Sequence, residues 1–132
     1  MNLEKVIFGF FILLAATLNF GFVYGDIANP EHHHLWELLA AIVVNMIATV
    51  LKFGDRTHIG AVHLASSLAA LLQLIGAGLV WFFVTQSPAA GAAATVMAPG
   101  NMASIVSLAA GALLANIVSI IIMIVETALQ RR

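Results

Sequence analysis

The densest group of potential ligand side chains in this chain is Glu31-His32-His33-His34, followed by Glu37. Imidazoles together with a carboxylate suit a borderline divalent ion such as zinc, nickel or copper. A helix that begins near His32 puts Glu37 on one face with His33, four residues away, and with His34, three away. His33, His34 and Glu37 are therefore the candidate metal ligands, at what would be an outer histidine cluster. Three adjacent histidines cannot all aim at one ion on a regular helix. Further donors, or the same residues of other subunits around a vestibule, must complete such a site. A pH sensor is the alternative chemistry for these side chains, and a histidine-rich turn without function is the simplest reading. His58 and His63 are five apart and point to different faces, so they make no ligand pair.

A second group consists of polar side chains set within apolar sequence. Asn45, Gln73 and Asn116 fall near the middle of their segments. An amide left unpaired in hydrocarbon is costly, so each is expected either to join helices or to face a hydrated path. Near one end lie His63, about two turns into its segment, and Glu126, about a turn from the end of its own. The turn that carries Lys52 and Arg56 is at comparable depth, which allows Glu126 to pair with His63, Lys52 or Arg56. An ionisable residue inside a span is a candidate for transport or gating. The structural alternative is an anchor whose charged end reaches the interface. Asn45, Gln73, Asn116, His63 and Glu126 are thus the candidate ion-path residues, with Lys52 and Arg56 as a cytoplasmic charge cluster.

Other chemistry finds little support. There is no cysteine, so disulfides, thiolate catalysis and sulfur-ligated metals are excluded. No phosphate loop, His-Glu-x-x-His run or nucleophile–base–acid set is present, and no enzymatic activity is expected. A net charge of −1 gives no reason to expect nucleic acid. Tyr24-Gly25-Asp26 resembles the Tyr-Gly-Asp end of the potassium-channel selectivity filter. Gly21-Phe22-Val23 stands where that filter has Thr-Val-Gly, so the family is not assigned.

The elements that must position these residues are long and apolar. The composition is 62% hydrophobic and 8% charged, with mean hydropathy +1.06, which does not describe a soluble domain. Leu3–Val23, Leu35–Leu51, His58–Val84 and about Met102–Thr127 are each near or above the length that spans a hydrocarbon core as helix. The first carries Glu4 beside Lys5 and is too long for a signal-peptide core, so it reads as a retained helix. Asn29 and Pro30 can open the second segment, Gly54-Asp55 can close it, and Thr57 can cap the third.

Loop charges give an orientation. The first connection holds Asp26 and Glu31 without Lys or Arg, whereas the second holds Lys52 and Arg56 and the chain ends in Arg131-Arg132. Lysine and arginine favour the cytoplasmic side, and Tyr24, Trp36 and Trp81 then lie at the outer interface. The third connection, Thr85 to Asn101, is uncharged and rich in small residues. It reads as a surface loop, a helix lying on the membrane or a shielded re-entrant loop. Ala61, Ala65, Ala69, Gln73 and Ala77, and on the last segment Ser107, Gly111, Ala115 and Ser119, form small-residue stripes. Such stripes suit close packing against each other or against symmetry mates.

The expected fold is an all-α integral membrane protein, a single domain over 1–132 with four transmembrane helices, both termini cytoplasmic, and self-association into a homo-oligomer. The bilayer is its obligatory partner, and the expected location is a bacterial inner membrane, crossed several times. The expected function is a small channel or transporter subunit that conducts a small cation. Its path is expected between subunits, because a pore through so small a bundle competes with packing. The alternatives are a non-conducting accessory or structural protein within a larger complex and, third, a metal-dependent membrane enzyme.

Overall fold

In hydrocarbon a backbone N–H or C=O has no partner but its own helix, so a chain of apolar segments is driven to helices. The computed structural model describes residues 3–55, 57–86 and 97–130. It contains α1 (Leu3–Val23), α2 (Leu35–Lys52), α3 (His58–Gln86) and α4 (Pro99–Gln130), with a 3-10 turn at Pro30–His32. All four α-helices are long and apolar enough to cross a membrane. They form an antiparallel bundle in which α1 packs on α2 and α4, and α3 packs on α2 and α4. One end of the bundle carries the start of α1 and the end of α4, joined by Lys5 and Glu126. The other carries the end of α1 and His33. They are called here the Glu126 end and the His33 end.

The helices overrun the apolar stretches. α3 continues to Gln86, and α4 begins at Pro99, whose missing N–H costs nothing at a first helical position, and runs to Gln130. With 29 and 32 residues these two are about 44 and 48 Å long at 1.5 Å per residue, well beyond a hydrocarbon core of about 30 Å. They must tilt or project. The third connection shrinks accordingly. Its residues 87–96 lie outside the described residues, as do Arg56 and Arg131-Arg132, and with them the three readings of that connection.

The first connection departs from expectation. Asn29 does cap, accepting from the Glu31 N–H at 3.0 Å, and Pro30 follows it, but they open the 3-10 turn and not α2. The chain is extended at His33 and His34, and α2 starts only at Leu35. Gly25, at φ 110°, turns the chain back after α1. A Cβ there would lie 2.8 Å from the His32 Cβ, so both the backbone angle and the space call for glycine. Trp36 is 82% exposed, and Tyr24 is exposed with it at the His33 end.

At the other end, Thr57 caps α3 as expected, its hydroxyl accepting from the Gly60 N–H at 2.9 Å. Asp55 in turn accepts from the Thr57 N–H and hydroxyl, at 2.9 and 2.7 Å. Those bonds to Thr57, hydroxyl first, and then the Lys52 ammonium 3.6 Å away hold the Asp55 carboxyl below its usual 3.8.

Packing uses small residues, but not both of the stripes the sequence suggests. Ala61, Ala65 and Ala69 are exposed, and only Gln73 and Ala77 of that row turn inward. A four-residue step advances about 400° on a helix of 3.6 residues per turn, so sixteen residues drift about 160° around it. The face of α3 that is buried reads Gly60, His63, Ser67, Ala70, Leu74 and Ala77. On α4, Gly111 admits the Gln73 amide, whose Oε1 lies 2.7 Å from where a Cβ would stand. Asn19 of α1 is fully buried and its amide meets α4 backbone: in the amide orientation that satisfies both groups, its nitrogen donates to the Ala109 carbonyl at 2.9 Å, and its oxygen accepts from the Leu113 N–H at 3.0 Å.

Two outcomes follow. Asn19→Leu loses both bonds between α1 and α4 and lowers stability by about 1 kcal/mol, read by unfolding in mixed detergent; an unchanged midpoint would dismiss that link. For Asp55 the folded value lies below the unfolded one. Its stabilisation is full above the unfolded 3.8 and is lost as pH falls through the lower folded value. The stability gap between wild type and Asp55→Asn should therefore be present at neutral pH and close on strong acidification.

Candidate functional site: a polar half-core and its charged end

The interior is divided along its length. Toward the His33 end it is apolar, built from Phe22, Leu38, Leu74, Met102, Ile105 and Val106 with alanines between them. Toward the Glu126 end, three helices turn polar side chains inward: Asn45 and Thr49 from α2, His63 and Ser67 from α3, and Asn116 and Ser119 from α4. All six are at most 2% exposed. On this level α1 supplies apolar side chains instead, Phe8 and Ile12, packed with Ala48.

These polar groups are poorly provided for by the protein itself. Asn45 donates to the Ala41 carbonyl of its own helix at 2.8 Å, but its Oδ1 has no partner. Thr49 bonds back to the Asn45 carbonyl at 2.8 Å. Ser66, beside Ser67, bonds Ser119 across the α3–α4 interface and also donates to the His63 carbonyl at 3.0 Å. Among the described residues, Glu37 Oε2, Asn45 Oδ1, His63 Nδ1, Ser67 Oγ, Gln73 Oε1 and both amide atoms of Asn116 are buried without a hydrogen-bond partner. Each such atom costs on the order of 1–3 kcal/mol if it stays unpaired. Asn45, Gln73 and Asn116 therefore do not join helices through hydrogen bonds. Asn19 is the amide that does.

The polar half-core leads to a cluster of charges. Glu126 sits between Lys5, at 3.1 Å, and the Nε2 of His63, at 3.9 Å. Lys5 also donates to Gln130 at 2.6 Å. Lys52 lies 4.2 Å from the centre of the Phe8 ring and pairs with Asp55, not with Glu126. Phe8 meets the His63 imidazole edge-on at 5.0 Å. Glu4, Lys5, Lys52, Asp55, Thr57 and Glu126 line a cavity of about 730 Å³ that opens at this end. Glu126 and His63 are brought within 3.9 Å of each other, longer than a hydrogen bond. Lys5 is the partner that sequence reading missed, because it is 121 residues away and only the antiparallel return of α4 brings it close.

The outer histidine cluster is not a metal site. Among the described residues no three His, Cys, Asp or Glu side chains gather as a metal ion requires, which overturns the divalent ion expected at His33, His34 and Glu37. The reason is local. His33 is buried, with Nδ1 directed at the Phe22 carbonyl at the end of α1 and Nε2 at the Asp26 carbonyl, 2.7 Å away. Both ring nitrogens are thus committed to backbone: neutral imidazole donates to one carbonyl, imidazolium to both. His32 accepts from the Asp26 N–H at 2.8 Å. His34 is exposed and precedes α2, while Glu37 lies in its first turn against Gly21. Extended backbone at His33 and His34 removes the shared helical face on which the ligand set depended.

The division of the interior has a measurable consequence. The chain has no cysteine, so single cysteines can be introduced without background. In proteoliposomes a small, charged thiol reagent should modify Ser67→Cys and Thr49→Cys, but not Ala77→Cys or Ala109→Cys in the apolar half. Equal protection of all four would mean that the polar half is as dry as the rest.

No curated protein and no solved structure matches the chain. A family match covers residues 32–127, well over half of the chain and every buried polar residue of α2, α3 and α4 described above. The chain belongs to the family described as a family of unknown function, DUF6394.

Proposed function

We propose that the protein is a small channel or transporter subunit that moves a small cation through a bacterial inner membrane. The observation that carries this reading is the set of buried polar atoms without protein partners on α2, α3 and α4, most of them from mid-bundle toward the Glu126 end, with Glu37 Oε2 the exception at the other end. A merely structural core of this size would leave few such atoms. A path for a small cation gives them an occupant in water or the ion itself.

In this reading the path begins at the cavity beside Lys5, Lys52 and Glu126 and passes His63. It continues between Asn45 and Asn116, and Gln73 borders it where α3 meets α4 at Gly111. The apolar layer of Leu38, Leu74, Met102 and Ile105 closes it toward the His33 end, as a hydrophobic constriction that gates by excluding water. Asn45 and Asn116 are fully buried within one chain, which supports a path inside the bundle in preference to one between subunits. Lys5 and Lys52 lie at the Glu126 end, and Arg56, Arg131 and Arg132 adjoin its helix ends in sequence. That bias favours a cytoplasmic Glu126 end, with both termini on that side. No catalysis is assigned.

A second reading has its own observation. The exposed row Ala61, Ala65 and Ala69 on α3 is a close-packing face turned away from its own bundle. It suits self-association, or an accessory role in which a larger membrane complex covers it.

The test is flux into liposomes that contain the purified protein, with sodium, potassium, calcium and chloride compared and proton movement followed alongside. Cation flux should appear and fall about tenfold or more in Asn116→Leu and Asn45→Leu, since each tenfold corresponds to only about 1.4 kcal/mol of barrier. Folded protein that passes no cation, the proton included, would sink the transport reading and leave the accessory one.

A further inference from the structure

We infer that the cation is the proton, and that Glu126 and His63 form the pair that admits it to the polar half-core. This rests on the reading of the bundle as a cation path. The same interior, taken as a set of ligands, disfavours metal cations. A dehydrated sodium or potassium ion needs several oxygens around it at once to replace its water. Here the polar atoms on α2, α3 and α4 are buried in a closed interior, and no acidic side chain stands among Asn45, Thr49, Ser67, Asn116 and Ser119. A proton needs no such cage. It needs a succession of groups that each give and accept a hydrogen, which carboxyl, imidazole and hydroxyl do.

That succession is present at the Glu126 end. The Glu126 carboxylate lines the cavity, and its Oε2 lies 3.9 Å from His63 Nε2, a gap that a small side-chain rotation or one bridging water closes. Past the imidazole, Nδ1 is buried without a partner. One turn further in are the paired hydroxyls of Ser66 and Ser119, with Ser67 beside them. The charged groups that face the imidazole are Lys52 of α2, Asp55 of the following turn and Glu126 of α4, with Lys5 of α1 held on Glu126. From α1 itself the imidazole meets the Phe8 ring, which is apolar and not titratable.

One transfer balances as follows. A proton from the cavity protonates the Glu126 carboxylate, and the Oε2–H bond breaks as Nε2–H forms on an imidazole already carrying hydrogen at Nδ1. The imidazolium then gives up its Nδ1 hydrogen to an interior hydroxyl or water oxygen as that oxygen's own O–H bond breaks and its hydrogen passes to the next acceptor, and a ring turn or a return of the hydrogen from Nε2 to Nδ1 through water resets the imidazole. One proton enters, one leaves, and nothing is oxidised or reduced. The Lys5 ammonium, 3.1 Å from Oε1, holds the carboxylate in place between transfers.

The experiment uses the full chain in liposomes loaded with a pH-sensitive dye, under a potassium diffusion potential, negative inside, set by valinomycin. Sodium entry is followed in parallel vesicles. The expected result is internal acidification with sodium at background. Proton flux should fall about tenfold or more in Glu126→Gln and His63→Gln and be partly kept in Glu126→Asp. Wild-type sodium entry without acidification would overturn the proton and leave the cation path standing. Acidification undiminished in both amide variants would overturn the pair. Neither flux from folded wild-type protein would overturn this inference together with the path on which it rests. The wild-type comparison holds even if a variant fails to fold.

Discussion

Everything in this bundle follows from a surrounding solvent that is as apolar as leucine. Burying leucine against leucine then gains little over leaving it in lipid, and helices hold together through close packing and a few interhelical hydrogen bonds. The chain is accordingly the reverse of a soluble bundle in what it shows and hides. Leu72, Phe83 and Leu114 are largely exposed, while Asn19, Asn45, Ser67, Asn116 and Ser119 are fully buried. Between large apolar side chains such as Phe22, Leu38 and Leu74, the interior uses alanine, glycine and small polar residues, which let backbones approach. Gly111 takes the Gln73 amide for the same reason. The placement of each polar side chain is therefore the informative feature of the molecule, since hydrocarbon would expel it from the outer surface and only the inside is left.

Inside, the polar groups are not spread evenly. One half of the core is sealed with Phe22, Leu38, Leu74, Met102 and Ile105, and the other carries amides, hydroxyls and an imidazole. Packing has no need for this asymmetry, because alanine would fill the positions of Ser67, Ser119 and Thr49 with less polar surface to satisfy. The asymmetry matches the charges, which cluster at the polar half's end: Lys5, Lys52, Asp55 and Glu126. The opposite end is closed by backbone. There His33 ties the first connection to the Phe22 carbonyl of α1 and to the Asp26 carbonyl just beyond it, and the positive φ of Gly25 shapes the return.

The helices were legible in the sequence because a continuous apolar run of spanning length has few other solutions. Their ends were less so. Pro99 and Gln86 sit in helix where composition suggested loop, since neither residue forbids a first or last turn. The histidine cluster misled for a definite reason. A metal site was drawn on one helical face, whereas His33 leaves the helix to bond two backbone carbonyls, a demand that arises only once α1 ends beside it. The stripe on α3 misled through periodicity, since a repeat of four drifts around a helix of 3.6. The shared level of Glu126 and His63 was legible from depth, which left Lys52 and Arg56 equally open as partners. Lys5 was not, because nothing in its neighbourhood shows that α4 returns to it.

The position of Glu126 also limits what any path here can do. A carboxylate at the bilayer midplane would need a permanent counterion and would trap a cation it met. Near the end of α4, with Lys5 at 3.1 Å and 20% of its side chain exposed, it has a close partner and stays in reach of water. His63, with a side chain 1% exposed, lies 3.9 Å further in. The step from the open cavity to the buried polar half-core therefore falls between these two side chains. Whatever enters the polar half-core along this route must cross that short step, and the lysine that anchors the carboxylate comes from α1, outside the segment 32–127 that carries the family match. Thus α2, α3 and α4 supply the polar interior, while α1 supplies the charge that steadies its entrance and, through Asn19, a grip on the α4 backbone.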